Sequence, residues 1–180
     1  MNYLDYFNKG MEIEEYKQML GKQLAVYNLH FKKAIVVSDQ YIPENLKILT
    51  LVQPGCADTA AILSVVQKFF ENSNTKLRIL KRDDNPDLMD QFLTNGGRAV
   101  PLFIIMDEQG NYLARFGPRP EKMQNFFEEH REAINKGEIE KSEIIRKIRN
   151  FYAKDRGRTI INEFKNILKK IQIKEYNFDQ

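Results

Sequence analysis

The side chain of this sequence best suited to covalent chemistry is its single cysteine, Cys56. It follows the turn pair Pro54-Gly55 and stands between two patterned runs. Residues 47–52, Lys-Ile-Leu-Thr-Leu-Val, are a short apolar run of the kind that forms a buried strand. In 57–71, Ala60, Ile62, Leu63, Val66, Phe69 and Phe70 recur at helical spacing. A thiol at such a strand-to-helix turn faces the positive end of the helix dipole and unpaired backbone N–H groups. Both favour the thiolate, which is the species that attacks a disulfide. A second special position is Pro101, which follows Val100 immediately before the apolar run 102–106. An X–Pro bond ahead of a central strand is a candidate cis peptide.

Other chemistries find little support. One cysteine cannot close an internal disulfide, which fits a reducing compartment and a cytoplasmic protein. His30 and His130 lie on separate predicted helices with no ligand spacing around them, so neither a metal nor another cofactor is expected. No histidine is placed to make a Cys–His hydrolase with Cys56. The net charge is +3, with a surplus on residues 136–180, where 12 Lys+Arg face 7 Asp+Glu. Those charges alternate in sign along helical segments, the pattern of a solvated face, so no nucleic-acid partner is expected. The Phe and Tyr residues fall on helix or strand periods and belong to a core. The longest apolar runs are too short to cross a bilayer. Residues 1–6 have neither a basic nor an apolar leader character, so neither export nor a membrane role is expected.

The elements that must position Cys56 and Pro101 can be read along the chain. Residues 1–42 are a helical extension, with Tyr3, Tyr6, Phe7, Ile13, Tyr16, Met19 and Leu20 spaced by three and four. Ile35-Val36-Val37 is ambiguous between helix and strand. After the first strand and helix comes a second strand at 77–80. A short helix at 86–93 follows, opened by Asn85 as cap with Pro86 at its first position and closed by Asn95-Gly96-Gly97. Strands at 102–106 and 112–116 are joined by a polar hairpin, and a helix spans 121–135. Two amphipathic helices, 141–154 and 159–171, are parted by Asp155-Arg156-Gly157. The first two strands must be parallel, because a full helix separates them. The expected architecture is one α/β domain over 1–180. A mixed sheet occupies the core at about 46–135, with helical extensions at about 1–42 and 136–180.

A cysteine at the first strand-to-helix turn with a proline at the head of the third strand resembles the thioredoxin fold. The run Arg82-Asp83-Asp84-Asn85-Pro86-Asp87-Leu88-Met89-Asp90-Gln91-Phe92-Leu93-Thr94-Asn95-Gly96-Gly97-Arg98-Ala99-Val100-Pro101 is similar to that of bacterial thioredoxin-family proteins. So are Gly117-Pro118-Arg119-Pro120 and the run 151–157. Laid on that family's Trp-Cys-x-x-Cys motif, Gly55 takes the place of the Trp and Cys56 that of the nucleophile. Ala57 and Asp58 form the middle pair, and Thr59 stands for the resolving cysteine. Thr50 takes the place of the family's buried Asp.

The resemblance implies a monothiol. Without a resolving thiol at Thr59, a mixed disulfide on Cys56 is released only by an external thiol, carried by a small molecule or by another protein. Thr59 would donate its hydroxyl to the thiolate, and Asp58 would oppose the thiolate with its charge. Cys56, Thr59 and Pro101 are thus the expected catalytic positions. Gly55, Ala57, Asp58 and Val100 are the expected substrate-binding ones, with the backbone at Val100–Pro101 offering an edge for an extended segment. Arg98 and Arg119 are candidates to lie at the thiol rim and favour its anion. The competing expectation is a non-catalytic binding module that kept the fold. The terminal helices could also join two copies as a homodimer.

Overall fold

The computed structural model describes residues 2–37 and 41–178, with side chains as far as 174. Among these, four strands form one sheet in the order β2-β1-β3-β4: β1 (Lys47–Val52), β2 (Lys76–Lys81), β3 (Leu102–Met106) and β4 (Tyr112–Phe116). β1 pairs parallel with β2 and antiparallel with β3, and β3 pairs antiparallel with β4. The described helices around the sheet are α1 (Tyr3–Lys9), α2 (Ile13–Gln18), α3 (Gln23–Lys33), α4 (Ala57–Phe70), α5 (Pro86–Met89), α6 (Glu121–Asn135), α7 (Lys141–Asp155) and α8 (Arg158–Phe178). This is the expected α/β architecture with a mixed sheet and helices on both faces.

Both sheet faces are covered, which is why β1 and β3 read as continuous apolar runs. Ile48, Val52, Phe103, Ile105 and Phe116 belong to one core, shared with α2, α3, α4, α7 and α8. Leu49, Leu51, Leu102, Ile104 and Met106 belong to the other, covered by Phe7 of α1, Leu88 and Met89 of α5, and Phe92. Phe164 of α8 anchors the C-terminal extension. It stands edge-on to Phe70 and Phe103, with ring centroids 5.7 and 5.8 Å away. The N-terminal extension also reaches the sheet, where Met11 exchanges backbone hydrogen bonds of 2.9 and 3.0 Å with Ile79 of β2. The two extensions meet where the Ile35 N–H donates to the Arg156 carbonyl at 3.0 Å.

Three local readings change. Ile35-Val36-Val37 is irregular chain, neither helix nor strand. Asn85 precedes α5 but does not cap it with its side chain; its amide donates instead to the Lys81 carbonyl at 2.9 Å. The helix there also stops early, at Met89, and continues only as a tight 3-10 turn at Asp90–Phe92. Asn95 and Gly96 therefore close no helix. They sit at positive φ, 49° and 77°, in a two-residue turn where Thr94 and Gly97 exchange both backbone hydrogen bonds. Asn-Gly is the sequence such a turn prefers, and that preference outweighed the helix-stop reading.

The register gathers the special segments at one end of the sheet. Leu51 lies opposite Leu102, and Phe103 opposite Phe116. The exit of β1, the entry of β3 and the exit of β4 are therefore neighbours.

Candidate functional site

The turn after β1 sets Cys56. The Cys56 N–H donates to the Gln53 carbonyl at 3.2 Å, and its own carbonyl accepts from Ala60 N at 3.3 Å. Gly55 carries φ +82°, a left-handed backbone that side-chain-bearing residues adopt only under strain. A Trp in that place would be strained, which gives a backbone reason for the departure from the Trp-Cys motif. Cys56 is the N-cap of α4, yet its side chain makes no capping bond. The thiol is half-buried and unpaired in a disulfide. Gly55 beside it is exposed, and Ala57 and Val100 are half-buried.

On the opposing segments, the Val100–Pro101 and Gly117–Pro118 peptide bonds are both cis. Gly117 has φ +110°, and a Cβ on it would stand 2.3 Å from the Pro101 carbonyl oxygen. Glycine is therefore required there, and it lets the segment after β4 brace the one before β3. Pro101, Pro118 and Pro120 are buried.

Asp58 and Thr59, beside the thiol in sequence, are also buried, at 5% and 0% exposure. Asp58 Oδ2 accepts from Arg119 Nε at 2.8 Å, and Arg119 Nη2 forms an ion pair with the same oxygen, also at 2.8 Å. Arg119 in turn lies over the Phe127 ring, 4.4 Å from its centroid, and donates to Gln124 Oε1 at 3.3 Å. The pair ties the first turn of α4 to the Gly117–Pro118 segment. Of the two arginines expected at the rim, then, Arg119 comes to the site but is held by Asp58. Arg98 is held elsewhere, with its Nε and Nη2 on the two oxygens of Asp90 at 2.7 Å.

The interior behind the turn holds several polar atoms without partners. Asp58 Oδ1, Thr59 Oγ1, Thr50 Oγ1 and the Tyr152 hydroxyl are all buried and unbonded. Thr50, in the place of the family's Asp, is fully buried. Two buried tyrosines were given no role at the thiol by the sequence, Tyr16 of α2 and Tyr152 of α7, the second inside the run 151–157. Burial pushes the hydroxyl pKa of Tyr16 up, and the Cys56 charge adds to the rise. Burial also raises that of Tyr152, followed by Asp58, with Arg119 opposing and Cys56 contributing. Tyr16 is visible in the sequence as a member of a helical stripe, and Tyr152 as part of the run 151–157. Nothing in their spacing marked them as neighbours of a thiol forty or ninety-six residues away.

Among the described residues, no group of three or more His, Cys, Asp or Glu side chains is placed to hold a metal ion. No described helix is long and apolar enough to cross a membrane. No curated protein matches the sequence. Among solved structures, a protein of unknown function from Pseudomonas aeruginosa is 20% identical and superposes with a TM-score of 0.65. That match covers 91% of this chain and 98% of the other. An HIV epitope-scaffold is 22% identical with a TM-score of 0.61, covering 69% of this chain and 82% of the scaffold. At these identities the likeness is one of fold. The pattern that describes the family Thioredoxin matches residues 8–133, a span from α1 to α6 that holds Cys56, both cis prolines and Arg119. With that match over most of its length, the chain belongs to the thioredoxin family.

Proposed function

We propose that this protein is a thiol–disulfide oxidoreductase that works as a monothiol through Cys56. The observation that carries the reading is the thiol's setting. It is half-buried and free, at the N-terminus of the fourteen-residue helix α4, with its side chain not spent on capping. The Cys56 thiolate would attack one sulfur of a disulfide. A new S–S bond forms to Cys56, the old S–S bond breaks, and the other sulfur leaves as a thiolate that takes up a proton. Thr59 offers no second thiol, so an external thiolate must attack the mixed disulfide and release Cys56 reduced. Gly55, Ala57 and the Val100–Pro101 backbone would border the incoming partner, which is a protein or a small-molecule disulfide. The setting proposed is a bacterial cytoplasm.

The test is incubation with glutathione disulfide followed by intact-mass measurement. A single glutathione adduct that forms on the wild type, is absent from Cys56→Ser and is lost on adding reduced glutathione is expected. Failure to form the adduct under conditions that modify free cysteine overturns the proposal. Thr59→Cys should reduce insulin disulfides without an external resolving thiol, and the wild type should not.

One observation favours a second reading, a binding module without redox turnover. Both candidate rim arginines are committed to carboxylates, Arg119 to Asp58 and Arg98 to Asp90, so neither is free to favour a thiolate. The absence of a glutathione adduct is the outcome that would select it.

A further inference from the structure

The two edges of the sheet are finished differently. On the β2 side, Met11 of the same chain bridges to Ile79. Beyond β4 lies no described strand, and among the described residues no backbone hydrogen bond leaves 112–116 except to β3. An edge strand in that state presents unpaired N–H and C=O groups along its length. A groove of about 510 Å³ follows this edge, with β4 as one wall and α8 as the other. Tyr112, Leu113, Ala114 and Arg115 all line it. Successive strand residues point to opposite faces, so four in a row share a groove only where it runs along the strand's edge. Ile171 and Ile173 make the α8 wall apolar, and both Tyr112 and Ile173 are exposed.

The charge of the groove has one sign. Lys170 and Lys174, one helical turn apart, line it together with Arg115, and no described carboxylate does. Arg115 donates to the Phe92 carbonyl at 3.2 Å and to Thr94 Oγ1 at 3.0 Å, and neither uncharged acceptor offsets its charge. These cations discriminate between occupants. A second copy related by a two-fold axis would set the three against the same three, and like charges repel across such an interface. An acidic chain meets no such opposition.

We propose that this groove takes an extended, acidic and partly apolar segment of a partner protein, which adds to the sheet as a further strand beside β4. Main-chain hydrogen bonds to β4 would hold the segment, as in other strand additions to a free edge. Its apolar side chains would pack on Ile171 and Ile173, and its carboxylates would meet Lys170 and Lys174. The proposal is independent of the chemistry at Cys56.

The experiment is fluorescence anisotropy of a fluorescein-labelled peptide of four Glu-Val repeats, titrated with the full chain. Because the probe has no cysteine, its result and that of the glutathione test stand apart. Binding that weakens with added salt is expected, and a Lys-Val peptide should bind far less. Lys170→Glu combined with Lys174→Glu should weaken binding about tenfold, the scale of two exposed charge pairs lost. Ile173→Glu should weaken it as well; these are exposed positions, and circular dichroism checks the fold of each variant. Methylating the peptide's Val nitrogens or its Glu nitrogens blocks one strand edge at a time, so one of the two peptides should lose binding and the other keep it. No binding of the Glu-Val peptide, equal binding of the Lys-Val peptide, or full binding by both methylated peptides overturns the proposal. So does a dimer in sedimentation velocity that Ile173→Glu dissociates, which would give the groove to a second copy of the chain.

Discussion

Two arginine–aspartate pairs in this molecule join the same two side-chain types in opposite surroundings. In both, two guanidinium nitrogens reach the carboxylate, at 2.8 Å for Arg119–Asp58 and at 2.7 Å for Arg98–Asp90. Side-chain exposure is 12% and 6% in the first and 47% and 49% in the second. The exposed pair sits in water that solvates each partner as well as the other does. The buried pair has no such alternative, so losing one partner strands a charge. Chemistry alone does not distinguish them; only burial decides which one the fold and the site depend on.

The largest expected effect is at the buried pair. Arg119→Ala should lower unfolding stability by about 3–5 kcal/mol, the usual cost of leaving a buried charge alone. Replacing both partners, Asp58→Leu with Arg119→Met, should recover most of that in a urea titration. If the single variant is as stable as the wild type, the contrast between the pairs fails. Next comes Gly117→Ala, which meets the Pro101 carbonyl oxygen at 2.3 Å with φ at +110°. It should cost about 1–3 kcal/mol or more, as forced unfavourable backbone does, and it should also displace the segment that delivers Arg119.

A smaller effect separates the regions by pH. Asp83, Asp87 and Asp90 are held below the ordinary carboxylate value, chiefly by hydrogen bonds from Arg82, Tyr6 and Arg98 respectively. Their contribution is complete above the unfolded value near 3.8 and is lost as pH falls through the lower folded values. His30 is lowered from 6.5, first by burial and then by Lys33. Its contribution is present above that value and fades as the pH drops below it. Denaturation midpoints should therefore fall with acid in two windows, and His30→Gln should remove the upper one. The smallest effect is Arg98→Ala, which should lower stability at neutral pH by less than about 1 kcal/mol, because solvent replaces most of what the lost partner supplied.

Much of this was legible in the sequence, for identifiable reasons. β1 and β3 announced themselves because both of their faces are buried, which forces unbroken apolar runs. Cys56 and Pro101 were found because a turn pair and a proline punctuate those runs. The Asp58–Arg119 pair was not legible, since its members lie sixty-one positions apart and each looks like an ordinary surface charge. In the sequence Arg119 stands out as a candidate for the thiol rim and Asp58 as a neighbour of the cysteine, with nothing to join them. Asn95-Gly96 misled for a local reason: the same pair ends helices and turns hairpins, and only the early stop of α5 decides which.

The backbone exchange between Met11 and Ile79 has a consequence for how this sheet meets other chains. It places a bridging residue along the outer side of β2, so a foreign strand approaching there finds Ile79 already engaged. β4 ends the sheet on the other side. The β2 edge is thereby closed to pairing at Ile79 by the chain's own N-terminal extension.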